Sequence, residues 1–411
     1  MHANWNEAKL EDLALVRADR ITPTKEDLTP YVGLEHLASV RNRLLGYEVA
    51  GQALSQKAVF CEGDILFGKL RPELRKVVRA PFDGVCSTDI LAIFARDPID
   101  AAYLYHLLSS ESIYRVAVSA SEGTKMPRVS WVTLRRFRFS CPSREERQGI
   151  AEHLDAIDEA IERTVAVIEA TGRLRQGLVQ ELLTRGLPRR HSEWKQVPGV
   201  GTVPACWRVA SLGDIADVVS GIALGPARRN GLNRMPYLTV ANVKFGFIEV
   251  IETRYMALSV QEQTTRTVRP GDLLLVEGHA QPSQLGRAAM VPVELAGYAF
   301  QNHLFRVRAN RDQAENAFLM AFINSTFGRR YFEQFSGTTS GLQTVSTSNV
   351  RGLRLALPPL AEQAAICEAL ESVSQTSSDE RAYLQHLIQI KKAISEALLT
   401  GKLRVCQPDL E

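Results

Sequence analysis

The chain has 411 residues, 49 Lys+Arg against 46 Asp+Glu for a formal net charge of +3, with 45% hydrophobic and 7% aromatic residues. At roughly 100–200 residues per domain that length points to two to four domains, and no stretch approaches the ~18 uninterrupted apolar residues of a membrane span, so disordered, collagen-like and membrane classes are excluded. So small a net charge announces no nucleic-acid partner by itself, because phosphate binding shows as a local basic face rather than a whole-chain total.

In chain order, Met1–Leu15 has no basic flank leading into an apolar run, so the expected compartment is the cytoplasm. Runs starting at Asp64 and Ile90 read as strands and Ala101–Ser109 as a helix, giving an α+β domain over 1–141. Residues 142–187 read as one long amphipathic helix, 188–206, rich in Pro and Gly, as a linker, and 207–357 as a second α+β domain with a strand from Asp272 and a helix over Ala317–Ser325. Residues 358–405 read as a second long helix. Cys61, Cys86, Cys141, Cys206, Cys367 and Cys406 are scattered, with no C-x-x-C pair to hold zinc, and are expected to be reduced.

The chain is an internal repeat of plan A-B-A′-B′. Residues 142–187 align without a gap on 358–403, so that Pro142 falls on Pro358, Glu146 on Glu362, Leu154 on Leu370 and Leu182-Leu183-Thr184 on Leu398-Leu399-Thr400. Upstream, with looser spacing, Trp5 matches Trp207, Gly63-Asp64 matches Gly271-Asp272, and Gly123-Thr124 matches Gly337-Thr338. The helix-pair seam is read as Ile150, Leu154, Ile157, Ile161, Ile168, Leu178 and Leu182 against Ile366, Leu370, Val373, Leu384, Leu387, Ile394 and Leu398. Thr164, Thr171, Arg175, Ser377, Glu380 and Lys391 fall at seam positions as polar interruptions that weaken a pair but fix its register.

Catalytic apparatus is not legible. Gly68-Lys69 and Gly401-Lys402 are each followed by Leu rather than the Ser or Thr of a phosphate loop, no H-E-x-x-H occurs, the eight histidines stand singly, and the Asn/Asp-Pro-Pro-aromatic signature of amino-group methyltransferases is missing. No metal site is expected. These features describe a binder, either a DNA reader or a scaffold whose α+β domains bind proteins.

The order of the segments, together with Pro358-Pro359-Leu360-Ala361-Glu362-Gln363 opening the second helix, resembles the DNA-specificity subunit of Type I restriction-modification systems. Leu182–Leu187 and Leu398–Leu403 resemble that family's closing motifs, whereas Ser143-Arg144-Glu145-Glu146-Arg147 departs from its Pro-Leu-x-Glu-Gln run. The resemblance implies a non-catalytic ruler. Its two α+β target-recognition domains each read half of a split, asymmetric double-stranded DNA site, and its antiparallel helices set the spacer. It further implies two adenine-N6 methyltransferase subunits and restriction/translocase subunits as partners, with no cofactor on this chain and S-adenosylmethionine, ATP and Mg on those partners. The loops after the Gly-Asp strands and the Gly-Thr turns are then the expected DNA-binding elements. They carry Lys69, Arg71, Arg75, Lys76, Lys125 and Arg128 in the first copy and His279, Gln281, Ser283, Gln284, Arg287, Thr338, Thr339 and Gln343 in the second.

Overall fold

The computed structural model describes residues 5–39, 43–52, 55–123, 125–335 and 343–405. It divides into two compact units, Met1–Ala166 with Arg381–Glu411, and Val167–Glu380. The two long helices, Arg144–Arg185 and Leu360–Leu399, each contribute one half to each unit. The reason is burial: a single amphipathic rod cannot cover its own apolar stripe, so each half packs against the nearest α+β body and the opposite half of the other helix.

Unit 1 is built on a four-stranded antiparallel sheet in the order Ala14–Val16, Ile90–Ala95, Ile65–Gly68, Val77–Arg79. Its central strands are apolar at every position because both faces are covered, and the period-2 alternation decides which residue goes where. Ile65, Phe67 and Ile93 pack with Leu104, Leu108 and Ile113 of the helices Ala101–Leu108 and Glu111–Ser119. Leu66, Val78 and Ala92 face the other way, onto Val32 and Phe60 of a five-stranded sheet.

Unit 2 repeats the plan with strands Ala216–Ser220, Leu304–Ala309, Leu273–Val276 and Ala288–Met290. Leu273, Leu275 and Val307 pack with Phe318 and Phe322 of the helix Asn316–Asn324, while Leu274, Val276 and Ala289 meet Leu238 and Phe300. Among the described residues the second sheet here has three strands rather than five, so the copies share one layer and differ in the other.

The stretch read as a linker, 188–206, is instead part of unit 2's core. Trp194–Val197 and Gly201–Pro204 form an antiparallel hairpin, with Gly199 and Gly201 supplying the positive φ of its turn (82° and 104°). Val197, Val200 and Val203 are buried in the main cluster of that unit. Its Pro and Gly content marks the hairpin's bend, and three valines at near-regular spacing carry the burial.

The long helices meet head to tail. In unit 1, Ile150, Leu154 and Ile157 share a cluster with Ile394 and Leu398, and in unit 2 Leu178 and Leu182 share one with Ile366 and Leu370. Leu384 is also buried, and Ile161, Ile168, Val373 and Leu387 are half-buried. Three of the six polar interruptions make specific contacts: Lys391 forms an ion pair with Asp158, Arg175 donates to Ser374 Oγ at 3.2 Å, and buried Thr164 returns its hydroxyl to the Ala160 carbonyl at 2.8 Å.

A duplicated clasp joins three chain ends in each unit. In unit 2 the carboxylate of Glu362, at the start of the second long helix, accepts from Trp207 Nε1 at 3.2 Å, lies 2.7 Å from His191 Nε2, and meets the end of the first helix at Gly186 and Leu187. In unit 1 Glu146 accepts from Trp5 Nε1 at 2.8 Å and Arg404 Nε at 2.7 Å, and Gly401, just past the second helix, sits against the Trp5 ring. Gly186 and Gly401 both take positive φ, 74° and 73°; a Cβ at Gly186 would collide with the Glu362 carboxylate, and one at Gly401 would press on the Trp5 ring at 3.2 Å. Burial works against the charge of Glu146, yet the donors Arg404 and Trp5 hold its carboxyl below the usual range.

The residue after each clasp glutamate explains the departure in the first helix. Gln363, fully buried, donates to the carbonyls of Pro358 and Gln313 and accepts from Glu315 N. At the matched position Arg147 donates to the matched carbonyl, Pro142, at 3.0 Å, and its remaining nitrogens form a two-bond pair with buried Asp100 at 2.8 and 3.0 Å. The bond to the carbonyl survives the change from Gln to Arg because a carboxylate accompanies it.

Glu362→Ala should therefore destabilise unit 2 by roughly 2–4 kcal/mol, since it strands the Trp207 indole N–H and His191 in the core. Equilibrium urea unfolding followed by tryptophan fluorescence checks this; an effect below about 1 kcal/mol would show that the clasp is incidental.

Candidate nucleic-acid interface

The Gly-Asp pairs that mark the two copies build the base of the candidate loops. Gly63 and Gly271 turn the chain at φ 83° and 85°, and the next carboxylates close that turn on the N–H groups of Cys61 and Arg269 at 2.8 and 2.7 Å. Both aspartates are buried and paired with arginine: Asp64 with Arg17 at 2.9 and 3.0 Å, Asp272 with Arg308 at 2.6 Å on both oxygens. Arg17 follows the edge strand Ala14–Val16 while Arg308 lies on the neighbouring central strand Leu304–Ala309, so the pair is kept although its cation moved. The Gly-Asp signature is thus a foundation, and the loops above it are free to vary.

In both units the two loops that the repeat aligns come together. In unit 1, Val129 N donates to Lys69 O at 3.0 Å and Arg71 N to Pro127 O at 2.8 Å, joining the loop after Ile65–Gly68 to the Gly123 turn. In unit 2, Gly278 and His279 pair antiparallel with Thr344 and Gln343, and Val345 N donates to Glu277 O at 2.9 Å. Each unit therefore presents one composite edge made from two distant stretches of chain.

The side chains on these edges sort into two kinds. Arg75 binds Glu111 at 2.7 Å and lies over the Tyr114 ring, Lys76 donates to the Leu34 carbonyl at 2.6 Å, and Arg128 makes a two-bond pair with Asp89 at 2.8 and 3.1 Å. The bond from Arg128 holds the Asp89 carboxyl below its usual range. Lys69, Arg71 and Lys125 have no side-chain hydrogen bond or ion pair among the described residues. Arg71 is exposed and held at φ 51°, a left-handed conformation that costs of order 1 kcal/mol or more outside glycine.

In unit 2, Arg287 is a correction to the sequence reading. It is only 7% exposed and donates to the carbonyls of Val243 and Val240 and to Gln284 Oε1, so it clamps the loop from below instead of reaching outward. Gln281 and Ser283 are exposed and Gln284 half-exposed, while His279 accepts from Gln281 N at 3.0 Å through Nδ1. Burial and the nearby Arg287 charge draw the His279 pKa down. Thr338 and Thr339 lie outside the described residues, and Gln343 contributes its backbone to the paired strands.

The partners Glu111, Leu34, Asp89, Val240 and Val243 were not legible in sequence, because nothing local signals a contact across dozens of residues. Among the described residues His106, Asp155 and Asp158 bring possible metal-ligand atoms within 4.8 Å of one another. Arg79 at 3.3 Å and Lys391 already occupy the two carboxylates, and their fixed charges oppose a further cation. No described helix is long and apolar enough to cross a membrane.

The class this fold defines is a duplicated binding module: two α+β bodies with equivalent loop edges, each tied to paired long helices. Residues 2–169 and 204–388 match the family model of the Type I restriction modification DNA specificity domain, and the chain belongs to that family. It is a non-catalytic DNA-binding specificity subunit of a Type I restriction-modification complex. Among its relatives, the StySPI specificity subunit of Salmonella potsdam is 24% identical over 81% of this chain and 73% of its own length. The MjaVIII specificity subunit of Methanocaldococcus jannaschii is 24% identical over 78% and 75%. A solved structure described as the basis of complex assembly and conformational transition of the type I R-M system has a TM-score of 0.61 at 20% identity, covering 97% of this chain and 98% of that one. The S subunit from M. genitalium gives 0.54 at 15%, over 100% and 98%; these two likenesses speak for the fold.

Gly286 bears on the loop edge directly. It takes φ 68°, and a Cβ there would lie 2.1 Å from the Phe332 ring. Gly286→Ala should cost about 2 kcal/mol or more and loosen the 281–287 loop; hydrogen exchange of that loop and denaturant unfolding measure both effects, and a neutral result would mean that the loop is not packed as described.

Proposed function

We propose that this subunit reads a bipartite, asymmetric site in double-stranded DNA, one half-site per unit, through the paired loop edges. The observation that carries the reading is the recurrence of the same loop-to-loop pairing above the same buried Asp–Arg pair in both units, with different side chains on top. A kept foundation with variable loops is what two readers of different half-sites require. Lys69 and Lys125 anchor phosphate and Arg71 reaches a base edge in unit 1; Gln281, Ser283 and Gln284 do so in unit 2.

The continuous helices that pass from one unit into the other act as the ruler for the unspecified spacer. They also recruit two adenine-N6 methyltransferase subunits, one over each half-site, and a restriction/translocase subunit joins for cleavage. S-adenosylmethionine, ATP and Mg belong to those partners.

Two measurements test this reading in the assembled methyltransferase. Lys69→Ala and Lys125→Ala should weaken binding to every sequence and reduce the slope of log affinity against log salt by about 0.9 for each phosphate that is no longer neutralised, whereas Arg71→Ala should relax one base of one half-site; an unchanged salt slope and an unchanged site would refute the loop placement. Inserting four residues after Thr171, about one helical turn or ~6 Å, should lengthen the spacer by about two base pairs at ~3.4 Å each. Mapping methylated adenines in cells with an active insertion variant reads the outcome directly, and an unchanged spacer refutes the ruler.

A further inference from the structure

The loop from Gln281 to Arg287 in unit 2 is held more firmly than a solvated loop requires. Pro282–Gln284 is a single 3-10 turn, closed by the N–H groups of Gln284 and Leu285 donating to the carbonyls of Gln281 and Pro282 at 3.0 Å. Arg329 donates to the Ser283 carbonyl, and its guanidinium lies 4.8 Å from the centre of the Phe245 ring. From below, Arg287 gives Nε to the Val243 carbonyl at 2.8 Å, one terminal nitrogen to the Val240 carbonyl at 2.9 Å, and the other to Gln284 Oε1 at 2.5 Å. Gln284 is left half-exposed at the end of the turn.

Chemistry fixes which way that amide points. A guanidinium carries donors and no acceptor, so Gln284 must turn its oxygen to Arg287, which leaves its NH2 group facing away. With one of the oxygen's two lone pairs taken by Arg287, the polar function it turns outward is the NH2 donor. Two-bond recognition of adenine needs the amide oxygen on the adenine amino group, and here that oxygen is turned inward; guanine presents acceptors at both N7 and O6 on its major-groove edge.

We propose that Gln284 is a base-reading residue of unit 2, donating to an acceptor on guanine, and that Arg287 is its positioning residue. This rests on the loop reading proposed above. The arrangement spends little entropy on binding, because turn, carbonyl clamps and amide orientation are all set before DNA arrives.

The test uses the full chain assembled with its methyltransferase subunits, with methylated-adenine mapping and DNA-binding titrations as readouts. Gln284→Glu keeps an oxygen on Arg287 but offers only acceptors. It should weaken binding to the original site about ten- to a hundredfold and move one base of one half-site from guanine toward cytosine, whose N4 amino group donates, with the other half-site unchanged. Arg287→Lys cannot span three acceptors, so it releases the amide and should make that same position degenerate. If Gln281→Ala or Ser283→Ala alters the half-site while Gln284→Glu leaves every base in place, the assignment of Gln284 fails and the loop reading stands. If the position that responds is adenine in the unaltered site, the donor argument is overturned. If no substitution from 281 to 287 alters either half-site, the loop reading falls and takes this assignment with it.

Discussion

A carboxylate gripping an indole N–H, buried at Glu362 and half-buried at Glu146, organises each half of this protein. Glu146 and Glu362 stand at the first turn of the long helices, and each collects the tryptophan that opens its repeat together with the glycine turn that follows the other helix. One side chain thus ties the start of an α+β body, the start of one rod and the end of the other. Everything downstream depends on that junction: strand pairs such as Asn6–Lys9 with Arg138–Cys141 and Arg208–Ser211 with Arg354–Leu357 deliver the chain to the helices at fixed registers. A carboxylate serves better than an amide because it accepts from several donors at once and strengthens each bond by its charge.

Above that junction the structure separates support from display. Of the cationic residues in the candidate loops, Arg75, Lys76, Arg128 and Arg287 serve the protein's own carboxylates and carbonyls. Lys69, Arg71 and Lys125 in unit 1 make no such bond among the described residues, whereas the exposed polar groups of the unit 2 loop, Gln281 and Ser283, are neutral. The two edges therefore differ in charge although their backbones correspond. Duplication followed by loop change produces that outcome without disturbing the buried Asp–Arg pairs beneath.

Much of the architecture was legible because it is periodic or repeated. Heptad spacing marked the helix halves, and residues such as Ile150 and Ile366 are buried where that spacing put them. Strand identity at Ile65 and Leu273 followed from apolar runs after a Gly-Asp turn. The hairpin at Trp194–Pro204 was not legible, because Pro and Gly mark a bend equally well in a linker or a core hairpin, and only the burial of Val197 and Val203 tells them apart. The departure at Arg147 reads in sequence as a broken motif, and only Asp100, far along the chain, supplies the counter-charge that makes it an equivalent.

The sequence by itself determined that this chain is two copies of one plan, with long helices between loop-bearing α+β bodies, since repeats and periods are one-dimensional properties. Tertiary structure alone decided which polar side chains are available to a partner. Arg287 and Lys69 look alike as letters beside a matched strand, yet one is spent on the carbonyls of Val240 and Val243 and the other is not. Desolvation and hydrogen-bond satisfaction are settled by what lies within about 3 Å in space, and at that range sequence neighbours are the minority.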